Sequence, residues 1–586
     1  SYFSQEPYSD YRSYEETLGY MPGDGDQFGW ISFDSAPYLR RGYRSGLTTA
    51  FNLSLLSGPN AVPLPPRLYE FALGYQKRSR IRDFMSYDLA ATIGVFSDFE
   101  DSARDGIRLP GHAVGMLHLK PEVDVVFGVD YLSRDDIKPI AKDKVGQDVQ
   151  LLDAFAFANF DVGQRSATIR LGKQVVSWGE STFIQQGINV INPIDVSKLR
   201  VAGSELKEAF LPIDMLWTSF SFNENFSMEA LYMLEFENTE PEPSGTYFSS
   251  NDFAALGGEY VMLNFGLVPE PADFSLCPRY NTGQNPLGLD PFNRAIQTSA
   301  CAAAVPRAPD RYASEHGQYG VAFRYFAPAL NNTEFGLYFL NYHSRLPVLS
   351  GISVTSSAAN SARYFAEYPE DIELYGLSFN TTLETAGIAV QGELSHRPNT
   401  PLQIDDVELL FTALSPLNVL IPQPVNRFIS QLGAVGPGQY VRGWERHEVS
   451  QFQFTLTKVF GPGNFTAADQ IATVLEMGFT EVWDLPSKSV LRYQGDGTDT
   501  GGGPDFLTGA FRNPQTLTEG FPTKFSWGYR LAARADYNNA FGSPFTLSPR
   551  VAFNHDVNGI TPGPGGNFLE DRQSLTLGVE ANYLNE

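Results

Sequence analysis

No stretch of this 586-residue chain holds about 18 consecutive apolar residues, so no helix is expected to cross a bilayer. A membrane role has to be carried by strands, if at all. Basic residues are scarce: 42 Lys and Arg stand against 67 Asp and Glu, a net charge of −25. That balance repels a polyanion and argues against a nucleic-acid partner. There are only two cysteines, Cys277 and Cys301, without the Cys and His neighbours a zinc site needs. Both lie on one Gly/Pro/Asn-rich stretch. They are expected to form a local disulfide in an oxidising compartment, with two free thiols as the alternative. The seven histidines are scattered and form no HExxH, and "GESTF" (179–183) lacks the second glycine of a nucleophile elbow. An enzyme is not expected, nor a cofactor or a metal centre. "GDGD" (23–26) and "GDGTDTGGGPD" (495–505) resemble calcium loops only loosely, and a solvated loop is the plainer reading. The chain opens on Ser1 rather than Met, which is expected of a protein whose signal peptide has been removed, or of a partial gene product.

What is abundant is aromatic: 44 Phe and 28 Tyr, beside 53 Gly and 39 Pro. That mixture suits many strands joined by turns. In "QFQFTLT" (451–457) every second residue is apolar and those between are polar. The rhythm returns at 226–236, 319–325, 388–395, 525–537, 545–556 and 575–583. The segments run about 9–13 residues, where an outer-membrane strand needs about 9–11 and a soluble strand stops near 5–6. Aromatics such as Phe226, Phe236, Phe525 and Tyr583 sit at segment ends, as membrane-interface girdles require. A large soluble β-sandwich would also alternate; the strand lengths and the Arg and Glu on one face of many strands favour a membrane barrel.

Connections alternate between short turns, such as 223–226 and 537–545, and long polar stretches at 237–316, 398–447, 485–520 and 557–570. Short turns on one side and long loops on the other is the outer-membrane pattern, and it puts both cysteines outside the cell. By parity, Arg170, Gln174, Arg324, Arg530, Arg534 and Arg550 face the lumen, with Glu229, Glu393 and Glu580. Such arginines either set a field in a pore or pair with the acids and stiffen the wall. The run 172–210 loses the period of two and is too polar for lipid. It is expected either to fold inward as a plug or constriction over 177–210, carrying Glu180, Asp195, Lys198, Arg200 and Lys207, or to remain an ordered outer loop; "SELKEAF" within it can form a helical turn.

"GKQVVSWGESTFIQQGINVINPIDVSKLR", "LKEAFLPIDMLW" and "LSPRVAFNHDVNGITPGPGGNFLEDRQSLTLGVEANY" closely resemble a proteobacterial outer-membrane family of unknown function. The resemblance spans about 142–586. It implies a large barrel in the Gram-negative outer membrane that moves hydrophobic or lipid-like molecules. Its implied partners are an RND/MMPL-type exporter and a periplasmic or outer-membrane accessory protein. Residues 1–141 look more like a planctomycete outer-membrane β protein and are expected to add strands. Family members end on a terminal aromatic, whereas this chain ends "EANYLNE", so a closing strand is expected to be missing.

The resulting expectation is an all-β fold: a large antiparallel transmembrane β-barrel of about 16–18 strands, surrounded by outer-membrane lipid. Its work would be passage of a solute through a lumen narrowed by 177–210. The competing class is a surface adhesin or structural protein working through its long loops.

Overall fold

The computed structural model describes residues 154–583, save 197–208, 247–248, 250–251, 264–268, 421–427 and 496–519, together with the backbone of the strands between 46 and 132. The chain divides into two compact units, Ser1–Lys142 with two short later pieces, and most of Asp143–Glu586.

The first unit carries β1 (Gly46–Ser54), β2 (Leu68–Arg82), β3 (Met85–Ser97), β4 (Gly106–Arg108), β5 (Pro110–Leu119) and β6 (Val123–Leu132). They form an antiparallel sheet in the order β1-β2-β3-β5-β6, with β4 also on β3.

In the second unit, thirteen strands form one antiparallel sheet in which each strand pairs with the next of the set. These are β7 (Ala154–Val162), β8 (Arg165–Gln174), β9 (Ile213–Asn223), β10 (Phe226–Met233), β13 (Tyr319–Ala327), β14 (Thr333–Tyr342), β17 (Ile372–Leu383), β18 (Ile388–Gln403), β20 (Trp444–Phe460), β21 (Gln470–Val482), β22 (Phe525–Asp536), β23 (Phe545–Asn558) and β24 (Gln573–Tyr583). The remaining strands belong to long connections: β11 (Tyr260–Met262) pairs with β12 (Ala304–Pro306), and β15 (Val348–Ile352) sits between β16 (Arg363–Glu367) and β19 (Tyr440–Val441). Strands of the large sheet reach 17 residues in β20. Those on either side of the connection expected at 398–447 run further, so that it narrows to 404–443.

The sheet is inside-out by the standard of a soluble protein. On β20, Gln453 is 1% exposed while its neighbour Phe452 is 39% exposed. On β18, Glu393 and Ser395 are buried and Leu394 between them is exposed. Leu337, Leu377, Leu531 and Val551 lie exposed on the same outward face. Water would penalise such continuous apolar rows, whereas hydrocarbon is their natural solvent. "QFQFTLT" therefore turns its Phe and Leu to lipid and its Gln and Thr inward. The fold class is the large antiparallel transmembrane β-barrel.

Connections segregate by length. Residues 163–164, 224–225, 328–332, 384–387, 461–469 and 537–544 make short turns at one end of the sheet. At the other end the strands are joined through the long connections 175–212, 234–318, 343–371, 404–443, 483–524 and 559–572. These long connections carry small cores of their own, one built on Val305, Val354, Tyr364 and Leu414. Helices α1 (Cys277–Asn281) and α2 (Pro291–Ala303) are joined by the Cys277–Cys301 disulfide. Asp290 caps α2 through the N–H groups of Phe292 and Asn293, and Pro291 opens its first turn, which fixes where the helix starts.

Candidate functional site

The segment after β8 leaves the sheet and returns over its inward face. Asn192 fixes its base: Oδ1 accepts from Val176 N–H at 2.9 Å, and Nδ2 donates to Leu211 O at 2.9 Å and Gln174 O at 3.2 Å. Between these ends, residues 176–191 meet two different surfaces.

One is apolar. Trp178, Ile188 and Ile191 are fully buried against Met215, Leu231, Leu340 and Leu374 from the inward sides of β9, β10, β14 and β17. Trp178 stacks at a tilt on Tyr338, 5.9 Å between centroids, and donates Nε1–H to Glu229 at 2.8 Å. β17 has glycine where Ile188 nests; a Cβ at Gly376 would stand 2.8 Å from the Ile188 side chain.

The other surface is polar and is built on two buried carboxylates. Glu393 on β18 accepts from the backbone N–H of Glu180 at 2.5 Å and of Ile188 at 2.9 Å, and from Gln453 Nε2 at 2.9 Å. Glu476 on β21 accepts from Thr182, Phe183 and Ile184 N–H at 2.8, 2.6 and 2.7 Å. Charged acceptors of this kind make the strong class of hydrogen bond, and five of the segment's amides are spent on them. The segment's carbonyls are held in turn. Gln391 donates to Glu180 O at 2.8 Å and Gln451 to Gln185 O at 2.7 Å, while Arg397 donates to Gln186 O at 2.9 Å and also to Gly187 O. Asn567, from the last long connection, exchanges two hydrogen bonds with Gln185. A Cβ on Gly187 would fall 1.8 Å from Glu393 Oε1, and Gly179 adopts φ +89° beside Oε2, so the sequence "WGESTFIQQG" matches this carboxylate in shape as well as in donors.

Glu180 is the segment's own acid. Its carboxylate accepts from Asn380 Nδ2 at 3.1 Å, and burial raises its pKa above the ordinary carboxylate range. Arg345, just beyond β14, is fully buried and pushed down to about 10 by desolvation. It donates to Ile191 O at 2.9 Å and Glu237 O at 3.0 Å, which ties the segment's far end to the long connections.

The expected lumen residues separate into groups. Arg324 bridges Glu229 at 3.2 Å and Glu334 at 3.0 Å. Arg530 pairs with Asp556 at 2.7 Å, Arg534 with Asp536 at 2.7 Å, and Arg550 with Glu580. Arg170 lies 4.6 Å over the Trp217 ring. All five sit on the inward face, held by neighbours on the wall. Two residues expected at the constriction line no open space. Gln174 is buried and donates to Met215 O at 3.0 Å, because it closes the apolar end of the segment. Asp195 is buried where Ile194 and Asp195 bridge to Phe210 and Glu240. Lys198, Arg200 and Lys207 lie outside the described residues, as do most of "SELKEAF", "GDGD" and the loop 496–505. Sequence reasoning missed Glu476 and Arg397; Glu476 had a visible signal, a lone charge in the apolar run "IATVLEMGF".

Fold and site together define an outer-membrane-type barrel sheet carrying an inward-folded segment. The chain belongs to the family described as "Protein of unknown function (DUF1302)", whose pattern matches residues 83–586 and so begins upstream of the resemblance read from 142. Comparison with curated proteins finds no match. Among solved structures, the chain is similar to Salmonella typhi OmpF in complex with daunomycin: 6% identity, 92% of this chain and 96% of that one, TM-score 0.27. It is similar also to the outer-membrane channel DcaP of Acinetobacter baumannii (6%, 92% and 98%, 0.26) and to Pseudomonas putida OprB (9%, 88% and 87%, 0.25). At those scores the likenesses carry no argument, and the functional reading rests on the chain's own geometry.

Proposed function

We propose that this protein is an outer-membrane channel whose lumen is narrowed by residues 176–191. One observation carries the reading: five backbone amides of that segment are seated on Glu393 and Glu476, carboxylates facing away from the apolar outward rows. A wall that only had to fill its interior could do so with apolar side chains, as it does around Trp178. A polar seat holds the segment by bonds that can be exchanged for water. The reaction class is passage without covalent chemistry. The family resemblance supports a hydrophobic or lipid-like solute, delivered with an RND/MMPL-type exporter and an accessory protein. The folded, disulfide-linked long connections favour a second reading, in which the outer surface adheres to a partner and nothing passes.

Planar-bilayer recording of the purified protein separates the two. Discrete conductance that rises when 177–191 is replaced by a short Gly/Ser link supports the channel. Silence in both forms leaves the adhesive surface.

A further inference from the structure

We infer that the turns 461–469 and 537–544 form a two-pronged lipid anchor at the short-turn end of the sheet, with Phe465 and Phe541 seated in the headgroup–acyl boundary. Phe465 is 93% and Phe541 98% exposed. Neither contributes to a core in this position, yet both are held there. Phe541 adopts φ +56°, a left-handed conformation that bulky residues rarely take, and Ala467 in the partner turn adopts +57°. Asn464 shapes the first turn by accepting from Thr466 and Ala468 N–H at 3.1 and 3.3 Å and donating to Ala468 O at 2.7 Å. The two turns are fused: Asp469 accepts from Asn538 N–H at 2.7 Å and donates its own N–H to Asp536 O at 2.9 Å. Strain in an exposed, cross-braced turn is sustained for something outside the chain.

Continuity identifies the occupant as lipid. Tyr537 continues the outward row of β22, and its hydroxyl donates to Thr466 O at 3.3 Å, which draws the first turn toward the outward side of the wall and away from the lumen. Phe460 and Phe545, at the strand ends beside the two turns, are exposed on that same outward face. Lys458 marks where the face meets water: its Nζ lies 5.2 Å over the Phe460 ring and donates to Ala386 O in the next turn, the posture of a lysine reaching from an apolar surface to its edge. Two aromatics one step beyond that edge are placed for the interface, where amphipathic and aromatic groups partition. The inference rests on the fold and not on the channel reading.

The test places a spin label at Phe465→Cys, Phe541→Cys and, as control, Thr385→Cys in the turn 384–387, with the protein in phosphatidylethanolamine/phosphatidylglycerol vesicles. The oxygen-to-nickel-chelate accessibility ratio is expected to be several-fold higher at 465 and 541 than at 385. Ratios at 465 and 541 equal to the control's aqueous value overturn the anchor. Phe465→Trp and Phe541→Trp, read by added quenching from lipids brominated near the headgroup, give an independent answer in chains without a label; absence of added quenching likewise overturns it.

Discussion

Oε1 of Glu393, midway along β18, accepts the backbone N–H of Ile188 at 2.9 Å, although the two residues lie 205 positions apart in the chain. The other oxygen takes Glu180 N–H, so one carboxylate closes residues 180–188 onto the wall. Glu476 holds the middle of that loop from β21. Together they make the inward segment a clamped element whose release has a definable free energy.

Glu476→Ala leaves the amides of Thr182, Phe183 and Ile184 without their acceptor, the last buried and the other two half-buried. A buried orphaned donor costs about 1–3 kcal/mol and one that water can reach costs less, so the clamped position should weaken by about 1–3 kcal/mol. The expected result is higher or noisier conductance in bilayers and faster proteolysis within 179–188, with the strand content of the sheet unchanged by circular dichroism. Unaltered conductance and protection would show that the apolar contacts around Trp178 suffice.

Glu180 gives the clamp a pH dependence of known sign. Burial raises its folded pKa, so the folded chain keeps a proton that the unfolded chain has released. The ionised carboxylate therefore destabilises the fold above that raised value, and the penalty is relieved as pH falls through it toward the ordinary carboxylate range. Glu180→Gln should melt higher than the parent at neutral pH in detergent, and the gap should shrink as pH is lowered through that window. A gap that stays constant or widens at acid pH contradicts the assignment.

Much of the wall was legible because its period is two. "QFQFTLT", 525–537 and 545–556 each state their outward face in the sequence, and Arg324, Arg530, Arg534 and Arg550 sit inward as parity requires. Parity fails on β9–β14, where Leu231 and Leu340 are apolar on the inward face because the returning segment covers them. Gln174 is buried where it closes the end of that segment, and Asp195 is buried at its bridge to Glu240. A lone Glu476 announces a buried polar role, but nothing local names its partners, which come from 292–294 positions away. Local pattern fixes a strand's faces; it cannot report which distant loop will lie on one of them.

The disulfide should stabilise only its own lobe. Cys277 and Cys301 are separated by 24 positions, and closing a loop of that size restricts the unfolded chain by about 3 kcal/mol in the chain-entropy account. Reduction is expected to speed cleavage between 270 and 306 while leaving the large sheet's melting transition in place. Loss of both together would mean that the long connections and the wall unfold as one unit.

Leu377→Arg tests the solvent of the outward rows directly. Leu377 stands mid-strand on β17, exposed, beside Leu337 and Leu394 on the neighbouring strands. On a water-facing surface, exchanging an exposed leucine for arginine changes stability by no more than about 0.5 kcal/mol. Facing hydrocarbon near the bilayer midplane, the same change costs about 2–4 kcal/mol. Refolding into phosphatidylcholine vesicles, followed by urea titration, should therefore show the larger loss for Leu377→Arg. Thr385→Arg, in a short turn outside the apolar rows, should behave like the parent. Equal stability of all three chains would place water against the Phe and Leu rows.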